Sequence, residues 1–148
     1  MMTIYFDMDG TIANLYGVDN WLEYLLAEDV FPYRNAKPML RLCSLARVLN
    51  RLQREGYQLG VISWLSKSGS ADYNDAVTAV KMEWLASHLP SVMWDEIKIV
   101  PYGTPKHEVA DNAGFLFDDE IGNRNAWDMS SNGIAFDATE IMEVLKLL

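Results

Sequence analysis

Thr3-Ile4-Tyr5-Phe6-Asp7-Met8-Asp9-Gly10-Thr11 decides the fold. Ile4, Tyr5 and Phe6 form an apolar run that breaks abruptly into two acids, a glycine and a threonine. A run that lacks a polar face fits a short strand covered on both sides, as at the centre of a parallel sheet. The break then marks the strand's carboxyl end, the edge at which open α/β sheets hold ligands. Asp7 and Asp9 would point to opposite faces of a continuing strand. A turn begun at Gly10 lets both carboxyls serve one site. Two acids that close can bind a hard cation through oxygen, and one can attack a phosphoryl group. Read alone, the segment is equally an acidic turn closed by Asp-Gly.

Working outward, apolar positions at Leu42, Leu45, Leu49 and Leu52 have helical spacing, and Gly56 supplies a stop. Residues 57–62 read as a second strand ending at Ser63. Residues 66–75 read as a polar loop, and helical spacing resumes at Val77, Val80, Trp84 and Leu85. Residues 96–100 and 114–117 are a third and a fourth strand. The third leads by a short loop to Lys106, and the fourth runs straight into Asp118-Asp119. A short helix over 120–129, a fifth strand over 133–136 and a last helix opened by Asp137-Ala138-Thr139-Glu140 complete the alternation. Strand–helix alternation of this kind predicts an α/β fold: a doubly wound, Rossmann-like sheet of five parallel strands with helices on both faces.

Residues 15–38 break the pattern. A short helix over 19–28, burying Trp21, Leu22, Leu25 and Leu26, is interrupted by Phe31-Pro32-Tyr33 and Lys37-Pro38. This reads as a minimal insertion overhanging the end of the first strand, too short for a second domain. Tyr16, Trp21, Tyr24, Phe31 and Tyr33 are expected mostly in its local core, with some lining a pocket. Residues 1–148 are expected to form one domain, consistent with the usual size of one.

Composition narrows the function. Half the residues are hydrophobic, which is a globular composition. The net charge of −9 weighs against a nonspecific nucleic-acid binder, short of a local basic patch. One cysteine, Cys43, cannot form an intrachain disulfide, and with two histidines it makes a zinc site improbable. A signal segment and a membrane-length apolar run are both missing, so a cytoplasmic protein is the expectation.

Four strand ends thus carry reactive residues: Asp7 and Asp9, Ser63, Lys106, and Asp118 with Asp119. Parallel strands put all four on one edge, where the acids need a compensating charge. In this order the residues resemble the motifs of the haloacid dehalogenase (HAD) superfamily of phosphohydrolases. Its DxDGT motif stands as Asp7-Met8-Asp9-Gly10-Thr11, its strand ending in Ser or Thr as Gly60-Val61-Ile62-Ser63, its lysine as Lys106, and its acidic pair as Asp118-Asp119 with Asn123 following.

The resemblance implies a phosphatase with Asp7 as nucleophile and Asp9 as general acid and base. It implies a magnesium ion held by Asp7, the backbone carbonyl of Asp9, and Asp118. Gly10, Thr11, Ser63, Trp64 and Lys106 would hold phosphate, and Asp119 and Asn123 would support the metal ligands from behind. An acid at both positions of the first motif favours phosphoryl chemistry over dehalogenation. With so small a cap the site is expected to be open, or covered by a second copy of the chain. The Asp-Met-Asp-Gly and Asp-Asp-x-x-x-Asn patterns look like the 5'(3')-deoxyribonucleotidases, which implies a nucleotide or another small phosphate ester as substrate. A nucleic-acid end or phosphoprotein substrate, and a magnesium-binding module of low turnover, are the alternatives.

Overall fold

A computed structural model describes residues 2–148. Its central sheet contains β1 (Thr3–Phe6), β4 (Gln58–Trp64), β5 (Glu96–Val100), β6 (Gly114–Asp118) and β7 (Gly133–Asp137). The order is β5-β4-β1-β6-β7, and every pairing is parallel. This is the doubly wound α/β fold expected from the alternation. The four residues of β1 are wholly buried because β1 is the middle strand and both of its faces are covered.

The alternation of side chains along β1 divides the core. Ile4 and Phe6 point to one face, where they meet Leu45, Leu49 and Leu52 of α3 (Leu42–Arg54). Trp84 and Leu85 of α4 (Ala71–His88) and Leu145 of α7 (Ile141–Leu145) complete that layer. Tyr5 points to the other face, against Ile62, Leu116 and Trp127 of α6 (Ile121–Met129). Trp127 is fully buried, packs edge-on to Tyr5 at 5.5 Å and donates its indole N–H to the Gly114 carbonyl. Burial this complete makes it a principal anchor of the sheet's second face.

Several local outcomes differ from the expectations. The polar loop after β4 is shorter: α4 starts at Ala71, because the Ser70 hydroxyl accepts from the Tyr73 amide and caps the helix. Phe31-Pro32-Tyr33 does not simply interrupt a helix but opens a new one, α2 (Phe31–Asn35), with Pro32 in its first turn, where a missing amide hydrogen costs nothing. The Asp137–Glu140 capping box forms, but it starts a 3₁₀ turn that leads into α7.

The insertion is pinned at its base by an antiparallel pair, β2 (Ala13–Asn14) and β3 (Lys37–Pro38). Between them α1 (Trp21–Leu26) forms where the helix was expected, yet none of its residues is buried. Its apolar side faces a cavity instead of a core. The insertion is tied to the main fold by Tyr73, which donates to the Asp29 carbonyl, and by Ser70, which donates to Glu28.

Candidate active site

The carboxyl edge of the sheet gathers the acids. Asp7 follows β1 directly and is nearly buried, and Asp118 closes β6 and is fully buried. Lys106 stands at the start of a short helix, α5 (Lys106–Val109), and inserts its ammonium between them. Its Nζ lies 2.8 Å from Asp7 Oδ1 and 2.7 Å from Asp118 Oδ2. Thr11 donates its hydroxyl to the other Asp7 oxygen at 2.9 Å, and Asn123 donates to Asp118 at 3.1 Å. The Glu120 amide donates to Asp118 Oδ1.

A second lysine holds the other acid. Lys81, in the middle of α4, is 1% exposed and spends its three protons on Asp9 Oδ2 at 2.9 Å, Ser63 Oγ at 2.7 Å and the Trp64 carbonyl at 2.7 Å. The sequence reading missed Lys81. The signal was there: it lies four residues after Val77 and three before Trp84, so it interrupts an apolar helical stripe with a charge. A lysine at such a position must find buried acceptors.

The expected phosphate-binding groups are disposed unevenly. The Ser63 hydroxyl faces Lys81, and the Trp64 indole donates to the Thr104 carbonyl. The amides of Gly10 and Thr11 are turned to the carbonyls of Ala13 and Met8. Gly10 sits at φ 81°, and an added methyl there would strike the Asp119 carboxylate. Asp119 is closer to the centre than a supporting role implies. One oxygen from each of Asp7, Asp118 and Asp119 lies within 4.8 Å of the others.

Protonation follows from burial and charge. Burial, with Asp7 adding to it, pushes the Asp118 carboxyl up to about 6 and the Asp119 carboxyl up to about 8. Burial also raises Asp9, although Lys81 opposes the shift. Lys106 is depressed by burial, but Asp7 and Asp118 more than offset this and hold it charged. With all four carboxyls (Asp7, Asp9, Asp118 and Asp119) ionised, they would share two ammonium groups, which is why burial and mutual repulsion favour protons on some of them. Displacing those protons would leave a deficit of two positive charges. That balance, with three clustered oxygen donors, fits a small divalent cation of octahedral, oxygen-rich preference.

Above the acids opens a cavity of about 390 Å³. Its floor includes Asp7, Asp9, Asp118 and Asp119; its walls include Tyr16, Trp21, Leu22, Leu25, Tyr33 and Trp64. Of the five insertion aromatics, Tyr16, Trp21 and Tyr33 line the cavity, while Tyr24 and Phe31 stack on each other at 4.8 Å.

No protein-family model and no curated protein matches the sequence. Solved structures do. A D,D-heptose 1,7-bisphosphate phosphatase from B. bronchiseptica, complexed with magnesium and phosphate, superposes over 99% of this chain and 99% of its own, with a TM-score of 0.57 and 11% identity. That from Burkholderia thailandensis superposes over 96% of this chain and 99% of its own, with a TM-score of 0.54 and 12% identity. The chain has their fold. At such identities the likeness extends to architecture alone, and the chemistry must be argued from the side chains. Among the described residues no helix is long and apolar enough to cross a membrane.

Proposed function

We propose that this chain is a magnesium-dependent phosphomonoesterase of the HAD type, acting through an aspartyl-phosphate on Asp7. The observation that carries the proposal is the charge deficit at the cavity floor: Asp7, Asp118 and Asp119 converge with only Lys106 between two of them. Acids crowded in this way destabilise a fold unless protons or a cation compensate them.

Asp7, the Asp9 carbonyl and Asp118 would hold the ion, with Asp119 in reach of it. Bound there, it would offset the repulsion between a carboxylate nucleophile and a phosphate dianion. An Asp7 oxygen would attack phosphorus as the ester P–O bond breaks, and Asp9 would pass its proton to the departing alkoxide. Water would then attack the acyl-phosphate while Asp9 takes up its proton, releasing phosphate and restoring Asp7. The upward shift of Asp9 supports its holding a proton for the first step. Lys106 and Lys81 would keep Asp7 and Asp9 in place throughout, being anchored by buried hydrogen bonds.

The leaving group is read from the walls. Tyr16, Trp21, Leu22, Tyr33 and Trp64 offer flat and apolar surface, which suits a nucleobase better than the polyhydroxyl sugar named for the two structural neighbours. Nucleoside monophosphates are therefore the favoured substrates. A panel of nucleoside monophosphates, sugar phosphates and p-nitrophenyl phosphate, assayed with magnesium and with chelator, tests both parts. Release that requires magnesium is expected, fastest on nucleotides. Faster release from sugar phosphates would remove the nucleotide assignment, and no metal-dependent release from any ester would remove the hydrolase.

A further inference from the structure

Positive charge is concentrated in one part of this acidic chain. Arg34, Lys37, Arg41, Arg47, Arg51 and Arg54 fall within residues 34–54, which contain no Asp or Glu. The remaining chain holds six bases against all 21 acids. Four of those six bases are engaged: Lys81 and Lys106 in the site, Lys98 with Asp111, and Arg124 with Asp137. Within the stretch, among the described residues, only Arg51 has a carboxylate within 4 Å, that of Glu55. Most cations elsewhere in the fold find acids, and of the six here only Arg51 does.

The helix orders them. Leu45, Leu49 and Leu52 turn one side of α3 into the core, so Arg47, Arg51 and Arg54 share the opposite side. At 3.6 residues per turn they fall within an arc of about 60°, and their Cα atoms are spaced about 6 Å and about 4.5 Å along the axis. Arg34, Lys37 and Arg41 precede them and are exposed. Lys37 pairs with Asn14 in the short ribbon that leaves the Asp9–Ala13 turn, so the basic stretch begins beside the acidic site and runs down the flank of the sheet.

We infer that this flank binds the phosphate backbone of duplex nucleic acid without reading its sequence. Charge complementarity favours that occupant, and so does what the face lacks. A stable protein interface needs a cluster of aromatic or aliphatic anchors, and residues 34–54 expose only one large apolar side chain, Met39, with none among Arg47, Arg51 and Arg54. A membrane surface needs an apolar side to insert, and that of α3 is spent in the core. A two-fold contact with a second copy would set like charges against each other. Single strands are held partly by stacking on aromatics, again missing here, whereas a duplex backbone requires only spaced cations and offers the highest charge density. The acids elsewhere repel the duplex and so fix the orientation in which the chain approaches.

Binding is independent of turnover and is read without it. A fluorescein-labelled 20-base-pair duplex is titrated by anisotropy from 25 to 200 mM KCl. The expected result is binding whose log K falls against log salt with a slope of about −4, for about four or five phosphates neutralised. Arg47→Glu with Arg54→Glu should weaken binding at least tenfold and flatten the slope by about 2. Phosphate release from a small ester, or circular dichroism should the chain prove no hydrolase, verifies that this variant is folded. Lack of binding at the lowest salt overturns the inference, as does equal binding by the folded variant. Displacement of the duplex by polyglutamate of matched charge at equal concentration overturns it too, and would make an acidic protein the occupant.

Discussion

Lys81 Nζ lies 2.9 Å from Asp9 Oδ2, a contact between the middle of a helix and a turn 72 residues earlier. The lysine side chain is almost wholly buried, so the ion pair has little water to fall back on. Removing one partner of such a pair leaves the other desolvated and alone, at a cost of roughly 3–5 kcal/mol. Lys81→Met keeps the volume and deletes the charge. It should lower the unfolding free energy, measured by urea titration, by an amount in that range and cut turnover, because Asp9 and Ser63 lose their common donor. A stability change under about 1 kcal/mol would mean that the pair does not form in solution.

Asp7 is expected to be indispensable to turnover and dispensable to folding. Asp7→Asn preserves shape, can still accept from Lys106 through its amide oxygen and can donate its amide N–H to the Thr11 hydroxyl, so circular dichroism should be unchanged while phosphate release disappears. Asp9→Asn should slow release by roughly 10²–10⁴-fold, the usual worth of a positioned general acid and base. Near-normal rates in either variant would reassign the corresponding role.

Gly10→Ala tests how tightly the turn is built. The residue needs a left-handed backbone at φ 81°, and a new methyl would lie 2.8 Å from Asp119 Cγ. Backbone strain of this kind costs about 1–3 kcal/mol. Displacement of Asp119 should also weaken metal binding, measured by magnesium titration of the apoprotein. A variant with unchanged stability and metal affinity would show that the turn tolerates side chains and that Asp119 is not held against it.

Much of this was legible in the chain itself, for a physical reason. Ile4-Tyr5-Phe6 is apolar on both faces because β1 is the middle strand, so its position in the sheet could be read without a partner. The acids at the ends of β1 and β6 followed from register, since Phe6 pairs with Phe117 and Asp7 and Asp118 come next. What stayed hidden depended on tertiary contact. Trp21, Leu22 and Leu25 have the spacing of a buried helical face, but they line a cavity, and periodicity carries no information about what a face meets. Ser63 ended its strand as expected, whereas its partner Lys81 was disguised within an apolar stripe. The placing of Asp119 beside Asp7 and Asp118 depends on how a turn folds back, which spacing alone does not encode.

The raised carboxyls make a signed prediction for pH. Asp118 is pushed up to about 6 and Asp119 to about 8, by burial first and by Asp7 second. A group whose folded value exceeds its unfolded one contributes stability at low pH and loses it as pH rises through the folded value. The metal-free protein should therefore lose thermal stability between about pH 5 and pH 9. Asp111 and Asp137 act with the opposite sign, but their carboxyls are held below the ordinary range, so their gains are complete before this window opens. Magnesium replaces the missing protons, so the rise in Tm on adding it should be larger at pH 9 than at pH 5.5. Scanning calorimetry with chelator and with excess magnesium across that range measures both trends. A metal-induced rise that is the same at both pH values would mean that the ion does not compete with protons for Asp118 and Asp119, and the cluster would then not be its site.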